Sequence, residues 1–194
     1  MNVRNKSYFA DRFLDDSYSE ETRRHVISLT VARLTSNACF RFAPPFLASI
    51  SDDFNISLSR LGLALMITEL AMGISPILGR WVDLLHRRTA MAGGLLAISG
   101  AATIAAASPS VWVFVLGILL IAVAKFIFDI GLASWVNDHV EYEKRGRVIG
   151  ITETSWALGL LIGVTAMGLV ASASSWRWGY AVGAISVAIL GLVV

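Results

Sequence analysis

Six charged side chains, Arg33, Arg41, Glu69, Lys125, Asp129 and Glu153, interrupt runs of residues that are otherwise apolar. A charge held in hydrocarbon costs about 2.5–3.5 kcal/mol on insertion scales. A leucine or isoleucine in the same place returns only about 0.3–0.6 kcal/mol. Six such groups facing lipid would cancel most of the insertion energy of the segments that carry them, so they are expected to face one another or a wet cavity. The residue types then fit a solute and proton pathway. A carboxylate takes up and releases a proton, and a guanidinium or ammonium neutralises it or binds an anionic group. Glu69, the acid placed deepest, is the first candidate for the proton, with Asp129 and Glu153 behind it; Arg33, Arg41 and Lys125 are the cations. Lys125 and Asp129 stand four apart and can pair along one helix. The plainer reading is that all six satisfy one another as packing ion pairs.

The segments that position these charges have the character of membrane spans. Of 194 residues, 56% are hydrophobic and the mean hydropathy is strongly positive, which sets aside an ordinary soluble domain. Six segments reach the spanning length of about 20 residues, near 26–50, 58–80, 89–107, 111–135, 147–171 and 177–194, joined by short polar turns. Only helices fit, because an isolated strand leaves its backbone unpaired in lipid. The expectation is an all-α polytopic membrane protein, with residues 1–24 as a polar tail and 25–194 as a six-helix transmembrane bundle.

Basic residues give the orientation. Arg4, Lys6, Arg12, Arg23 and Arg24 precede the first span, Arg80, Arg87 and Arg88 occupy the second turn, and Lys144, Arg145 and Arg147 the fourth. The other turns hold only Arg60 and Arg177. Both termini are therefore expected in the cytoplasm, with the bundle in the plasma membrane. On that topology Arg41, Glu69 and Lys125 lie near mid-membrane, and Arg33, Asp129 and Glu153 about two helical turns nearer the cytoplasm. Phe40, Phe42, Phe126, Phe128 and Trp156 fall where either a cavity wall or simple packing would use them.

Gly79, Asp83, Arg87 and Arg88 resemble the signature loop between the second and third helices of the major facilitator superfamily, with Leu84 and His86 replacing a basic residue and a second glycine. The turn at 137–147, with Asp138, Arg145, Gly146 and Arg147, is similar to that family's fourth cytoplasmic turn. The resemblance implies a gating network in which Asp138 faces Asp83 and Arg87, with Arg145 beside it. Gly150, Gly159, Gly163 and Gly168 follow the fifth-helix motif associated with antiporters, although Val164 and Met167 stand where the motif has a proline and a glycine. Their physical use is close helix approach. Where the family often carries an arginine in the fourth helix, this chain has Ile118. The resemblance covers 33–194 and implies the N-terminal bundle, two inverted three-helix repeats, of a twelve-helix transporter.

The reading that follows is secondary transport of a small solute by alternating access, with proton-coupled efflux or antiport. Its partners would be the lipid bilayer, the solute and either a missing C-terminal half or a second copy. The end inside an apolar run implies a truncated copy or fragment. The alternatives are a non-transporting scaffold, an inactive half, or a facilitator for a sugar or metabolite. No zinc-helix motif, nucleophile elbow or phosphate loop is present, so neither an enzyme nor a cofactor or metal is expected. The lone Cys39 reads as a small buried hydrophobe, and the membrane topology accounts for the basic residues without nucleic acid.

Overall fold

Ser19 opens the helical part of the chain. A computed structural model describes Leu14, Gly73, Gly79 and residues 17–71 and 85–194; Asp83 lies outside the described residues. The Ser19 side chain accepts a hydrogen bond from Thr22 N at 3.1 Å, and Glu20 and Glu21 fill the first turn of helix α1, Glu20–Arg41. A hydroxyl cap and early acids suit the unpaired N–H groups at a helix start. Residues 20–24 of the expected tail are therefore helix. Leu14 and Tyr18 are buried, and Tyr18 Oη donates to Lys144 O at 3.2 Å.

The first expected span is divided. Pro44 and Pro45 supply no N–H, so the helix tightens to a 3-10 turn at Pro44–Phe46 and resumes as α2, Leu47–Asp53. Asn55, at φ 52°, closes α2: its N–H donates to Asp52 O and that of Ile56 to Ser51 O. This is the left-handed C-terminal motif that asparagine tolerates. Helix α3, Leu58–Ala71, follows, and most of the rest of the expected second span lies outside the described residues.

Four longer helical runs complete the bundle. They are α4, Arg87–Ala106; α5, Val111–His139; α6, Tyr142–Leu158, which passes through a π-helical turn at Gly159–Val164 into α7, Thr165–Ala173; and α8, Trp176–Val193. These four are long and apolar enough to cross a membrane. The first two expected crossings do not meet that measure among the described residues. α1 carries Glu20, Glu21, Arg23, Arg24, Arg33 and Arg41, and α3 is described for 14 residues.

The expected polar turn at 137–147 is mostly helix. The α5 helix has 29 residues, about 44 Å at 1.5 Å each, and outruns a hydrocarbon layer of roughly 30 Å. Only Val140 and Glu141 leave helical geometry. Arg145 replaces the missing helical donors at the end of α5, giving hydrogen bonds to Val140 O at 2.9 Å and Asn137 O at 2.7 Å.

Small residues bring the helices together. α4 packs most extensively against α5 and α8, and α1 against α6 and the π-helical turn. A methyl added at Gly94 would fall 2.9 Å from Phe128 N, and one at Gly117 2.9 Å from Ala105 N. At the end of the bundle away from Arg87, Phe54, Phe114, Trp176 and Tyr180 interlock as tilted and edge-on rings. Arg177 ties three chain ends together there: it donates to Asp53 Oδ2 at 2.8 Å, Ala106 O at 3.0 Å and Ser108 O at 2.6 Å, with its guanidinium 4.5 Å from the Trp176 ring centroid. That clamp holds α2, α4 and α8 in register.

Glycine-to-alanine substitution on α4 separates packing from propensity. Gly94→Ala drives a methyl into the α5 backbone and should cost about 1–3 kcal/mol. Gly100 has open space beside it, so Gly100→Ala should be neutral or stabilising by up to about 1 kcal/mol. Unfolding of the two variants in detergent checks the sign of each.

Candidate functional site

Arg33 lies between two acids from different helices. Its Nε is 3.2 Å from Asp129 Oδ1 on α5 and its Nη1 2.5 Å from Glu153 Oε1 on α6. Lys125, one turn before Asp129, donates to the other carboxylate oxygen, Oδ2. The four side chains form one alternating series, Lys125–Asp129–Arg33–Glu153. Its two ends differ in side-chain exposure, Lys125 at 6% and Glu153 at 52%, with Asp129 at 26% and Arg33 at 12% between them. The series therefore runs from the interior to an open flank. Each buried cation holds a carboxylate, as the desolvation cost of an unpaired ion requires, and the outermost carboxylate can meet solvent or solute.

Arg41 stands two turns further along α1 and meets no acid among the described residues. Its guanidinium carbon lies 4.8 Å from the Trp156 ring centroid and 5.0 Å from that of Phe40, within reach of the rings' negative faces. Its Nε is buried without a hydrogen-bond partner. Lys125 Nζ lies 5.4 Å from the same Trp156 ring, so one indole receives two cations. Below it Asn37 Nδ2 donates to Ser155 Oγ at 3.2 Å, and Asn37 Oδ1 is buried and unpartnered.

Glu69 does not join this cluster. It is exposed on α3 and makes no ion pair or hydrogen bond among the described residues. Depth in the membrane put it level with Arg41, but depth says nothing of which way a helix is turned. The aromatics divide too: Phe42 and Phe128 are fully buried in the packing core, while Phe40 and Trp156 flank Arg41. Trp156, Ser155 and Asn37 complete the site. The available signal was spacing, since Asn37 lies midway between Arg33 and Arg41 at four-residue steps, and Trp156 follows Glu153 by three.

At the far end of α5 a second polar site forms. Arg87 Nε is 3.0 Å from Asp138 Oδ2, joining the start of α4 to the end of α5. A cavity of about 640 Å³ lies beside it, lined by Arg24, His25, His86, Trp135 and His139 among others. Trp135 stacks on His139 at 4.9 Å and meets His25 at 5.7 Å. Arg145 is spent on capping α5, and Arg88 donates to Val194 O. Gly79 makes an ordinary contact toward Ile130.

Three of the four expected packing glycines pack. A methyl at Gly159 would fall 2.9 Å from Asn37 Cβ, at Gly163 2.5 Å from Ala38 Cβ and at Gly168 3.0 Å from the Phe46 ring. Gly150 has open space beside it; it lies on an exposed part of α6, clear of α1. Gly159 and Gly163 bring the fifth-span helix close enough to α1 for Arg33 to reach Glu153.

The profile of the Major Facilitator Superfamily matches residues 29–194. The chain is 29% identical over 135 residues to the uncharacterized MFS-type transporter YwfA of Bacillus subtilis (strain 168), covering 69% of this chain and 33% of the relative. It is 26% identical over 168 residues to the putative uncharacterized transporter YgaY of Escherichia coli (strain K12), covering 86% of this chain and 42% of the relative. The chain thus spans about a third to two-fifths of the length of these relatives.

The exposure gradient sets the energetics of the ion pairs. Arg33→Met leaves a carboxylate inside the bundle and should lower stability by about 2–4 kcal/mol, below the top of the range for buried pairs because Glu153 reaches the surface. In double-mutant cycles the Arg33–Asp129 coupling should be about 1–3 kcal/mol and the Arg33–Glu153 coupling under about 1 kcal/mol. Thermal unfolding in detergent of the three single and two double variants measures both.

Proposed function

The chain belongs to the Major Facilitator Superfamily, and from that premise we propose that it forms the N-terminal bundle of a proton-coupled secondary transporter that exports a small solute by alternating access. It is an integral membrane chain built of helices. On this reading both termini lie in the cytoplasm and the membrane is the plasma membrane, as the basic turns favour. The other wall of the pathway comes from a C-terminal half or from a second copy. The two bundles would rock about a midplane site.

The observation that carries the proposal is the ion-pair series running from buried Lys125 to half-exposed Glu153. Glu153 takes the proton. Among the described residues its one ion pair is with Arg33, and it is the acid of the series that reaches the open flank. Asp129 sits between two cations and stays the fixed counter-ion. Protonation of Glu153 frees Arg33 Nη1, and the freed donor is available to solute or to the facing bundle. Proton binding and cavity shape are coupled in this way through one side chain. The Arg87–Asp138 pair, with Asp83 from the adjoining loop, would latch the cytoplasmic side. Glu69, exposed on α3, faces the pathway or the partner bundle rather than this series. The packing glycines Gly159 and Gly163 keep the fifth span against α1 and Gly168 keeps it against Phe46, as an antiporter's close-packed helix would need. A non-transporting scaffold draws support from the internal pairing of the series, but it gives no use to Arg41, which meets no acid among the described residues.

Reconstitution of the complete gene product into liposomes with an imposed pH gradient tests the reading. Solute-dependent proton movement should fall at least about tenfold, or about 1.4 kcal/mol at the limiting step, in Glu153→Gln. Asp138→Asn should slow cycling while leaving solute affinity intact. Unchanged flux in Glu153→Gln and Asp129→Asn together would sink the coupling scheme and favour the scaffold.

A further inference from the structure

We infer that the solute is an organic monoanion, a carboxylate on an apolar or aromatic body, whose anionic group docks on Arg41 beside Trp156. The inference rests on the transport reading and adds the substrate class to it. Among the described residues, the cluster on α1, α5 and α6 holds three cations, Arg33, Arg41 and Lys125, against two acids, Asp129 and Glu153. Both acids are taken up by Arg33 and Lys125. One positive charge is left over, and it is on Arg41.

Three features of Arg41 say what would balance it. Its Nε is buried and donates to nothing, and guanidinium has no acceptor atoms, so only an acceptor satisfies it. Its planar fork fits the two oxygens of a carboxylate. Its guanidinium carbon lies 5.0 and 4.8 Å from the Phe40 and Trp156 ring centroids, which puts apolar surface beside the fork. Lys125, over the same indole at 5.4 Å, adds positive potential at the docking point while staying paired with Asp129. Phe40 and Trp156 are each partly exposed, as is Arg41, so the site is open to a ligand. Glu69, the acid that depth alone would assign here, is exposed on α3 and meets neither cation. A neutral or cationic solute would leave the surplus charge uncompensated in a low-dielectric setting.

The test uses the complete gene product in phosphatidylcholine nanodiscs with three probes of one shape: benzoate, benzamide and benzylamine. Benzoate should raise the unfolding temperature saturably, and the amide and amine should not. Arg41→Gln should weaken benzoate at least about tenfold, and Arg41→Lys should recover part of the loss. Trp156→Leu, which keeps the charge, should weaken benzoate but preserve its preference over benzamide. This variant tests the site if Arg41→Gln does not fold. Equal shifts with benzamide, or a benzoate shift that survives Arg41→Gln, would overturn the anion. Flux of benzylamine or benzamide that depends on Asp129, with none of benzoate, would overturn it while leaving transport standing. Neither binding nor flux of any probe would remove both readings. If phosphatidylglycerol reproduces the shift and blocks benzoate, the occupant is a lipid headgroup and the solute inference fails.

Discussion

A charge inside hydrocarbon has no water to fall back on, and the structure is arranged around that fact. Lys125 is the most buried of the charged groups in the ion-pair series, and from it outward every cation finds a carboxylate until the series reaches the surface at Glu153. The pairing is possible only because three helices bring side chains 96 and 120 positions apart in the chain into contact. Breaking any one of those approaches would strand an ion. The bundle and the charged site are therefore one structural problem, solved together.

The close approach itself depends on the absence of side chains. Gly94 and Gly117 seat α4 on α5, which fixes the face of α5 that carries Lys125 and Asp129. Gly159 and Gly163 seat the fifth-span helix on α1, which fixes Glu153 and Trp156. Van der Waals packing at such glycine contacts replaces the hydrophobic drive that lipid removes. At the opposite end, Arg177 holds three chain ends by backbone and carboxylate contacts, so the helices cannot slide along one another without losing them.

Much of this was legible in the residues and some was not, for a physical reason. Composition and segment length announced helices in a membrane, and the four-residue spacing of Lys125 and Asp129 announced their pairing. The Arg87–Asp138 contact followed from a family resemblance rather than from spacing. What escaped was rotational phase. On α5 both the exposed Leu116 and Leu120 and the buried Ile118 and Ile121 are apolar, so periodicity does not say which side faces a neighbour. Glu69 was assigned by depth without a phase, and it points elsewhere. Trp156 was named as a cavity or packing aromatic, but its place under Arg41 and the Arg177 clamp escaped, because a cation over a ring and a guanidinium on carbonyls leave no mark in the spacing of charges. The eleven-residue turn at 137–147 was misjudged because polarity was taken for the end of a helix, when α5 continues to His139 and α6 begins at Tyr142.

The π-helical turn at Gly159–Val164 has a consequence for the long helix that contains it. A turn of this kind pairs residues five apart instead of four, so one residue is in effect threaded into the helix. One residue of an α-helix is about 100° of rotation. The stripe that begins with Glu153 and Trp156 and the stripe that ends with Gly168 therefore do not belong to one helical wheel. A single-residue deletion within the turn would restore a regular helix and twist those two stripes apart, unseating either the first from α1 or Gly168 from Phe46, whichever end stayed fixed. A chain of the same composition, one residue shorter there, would be a different part.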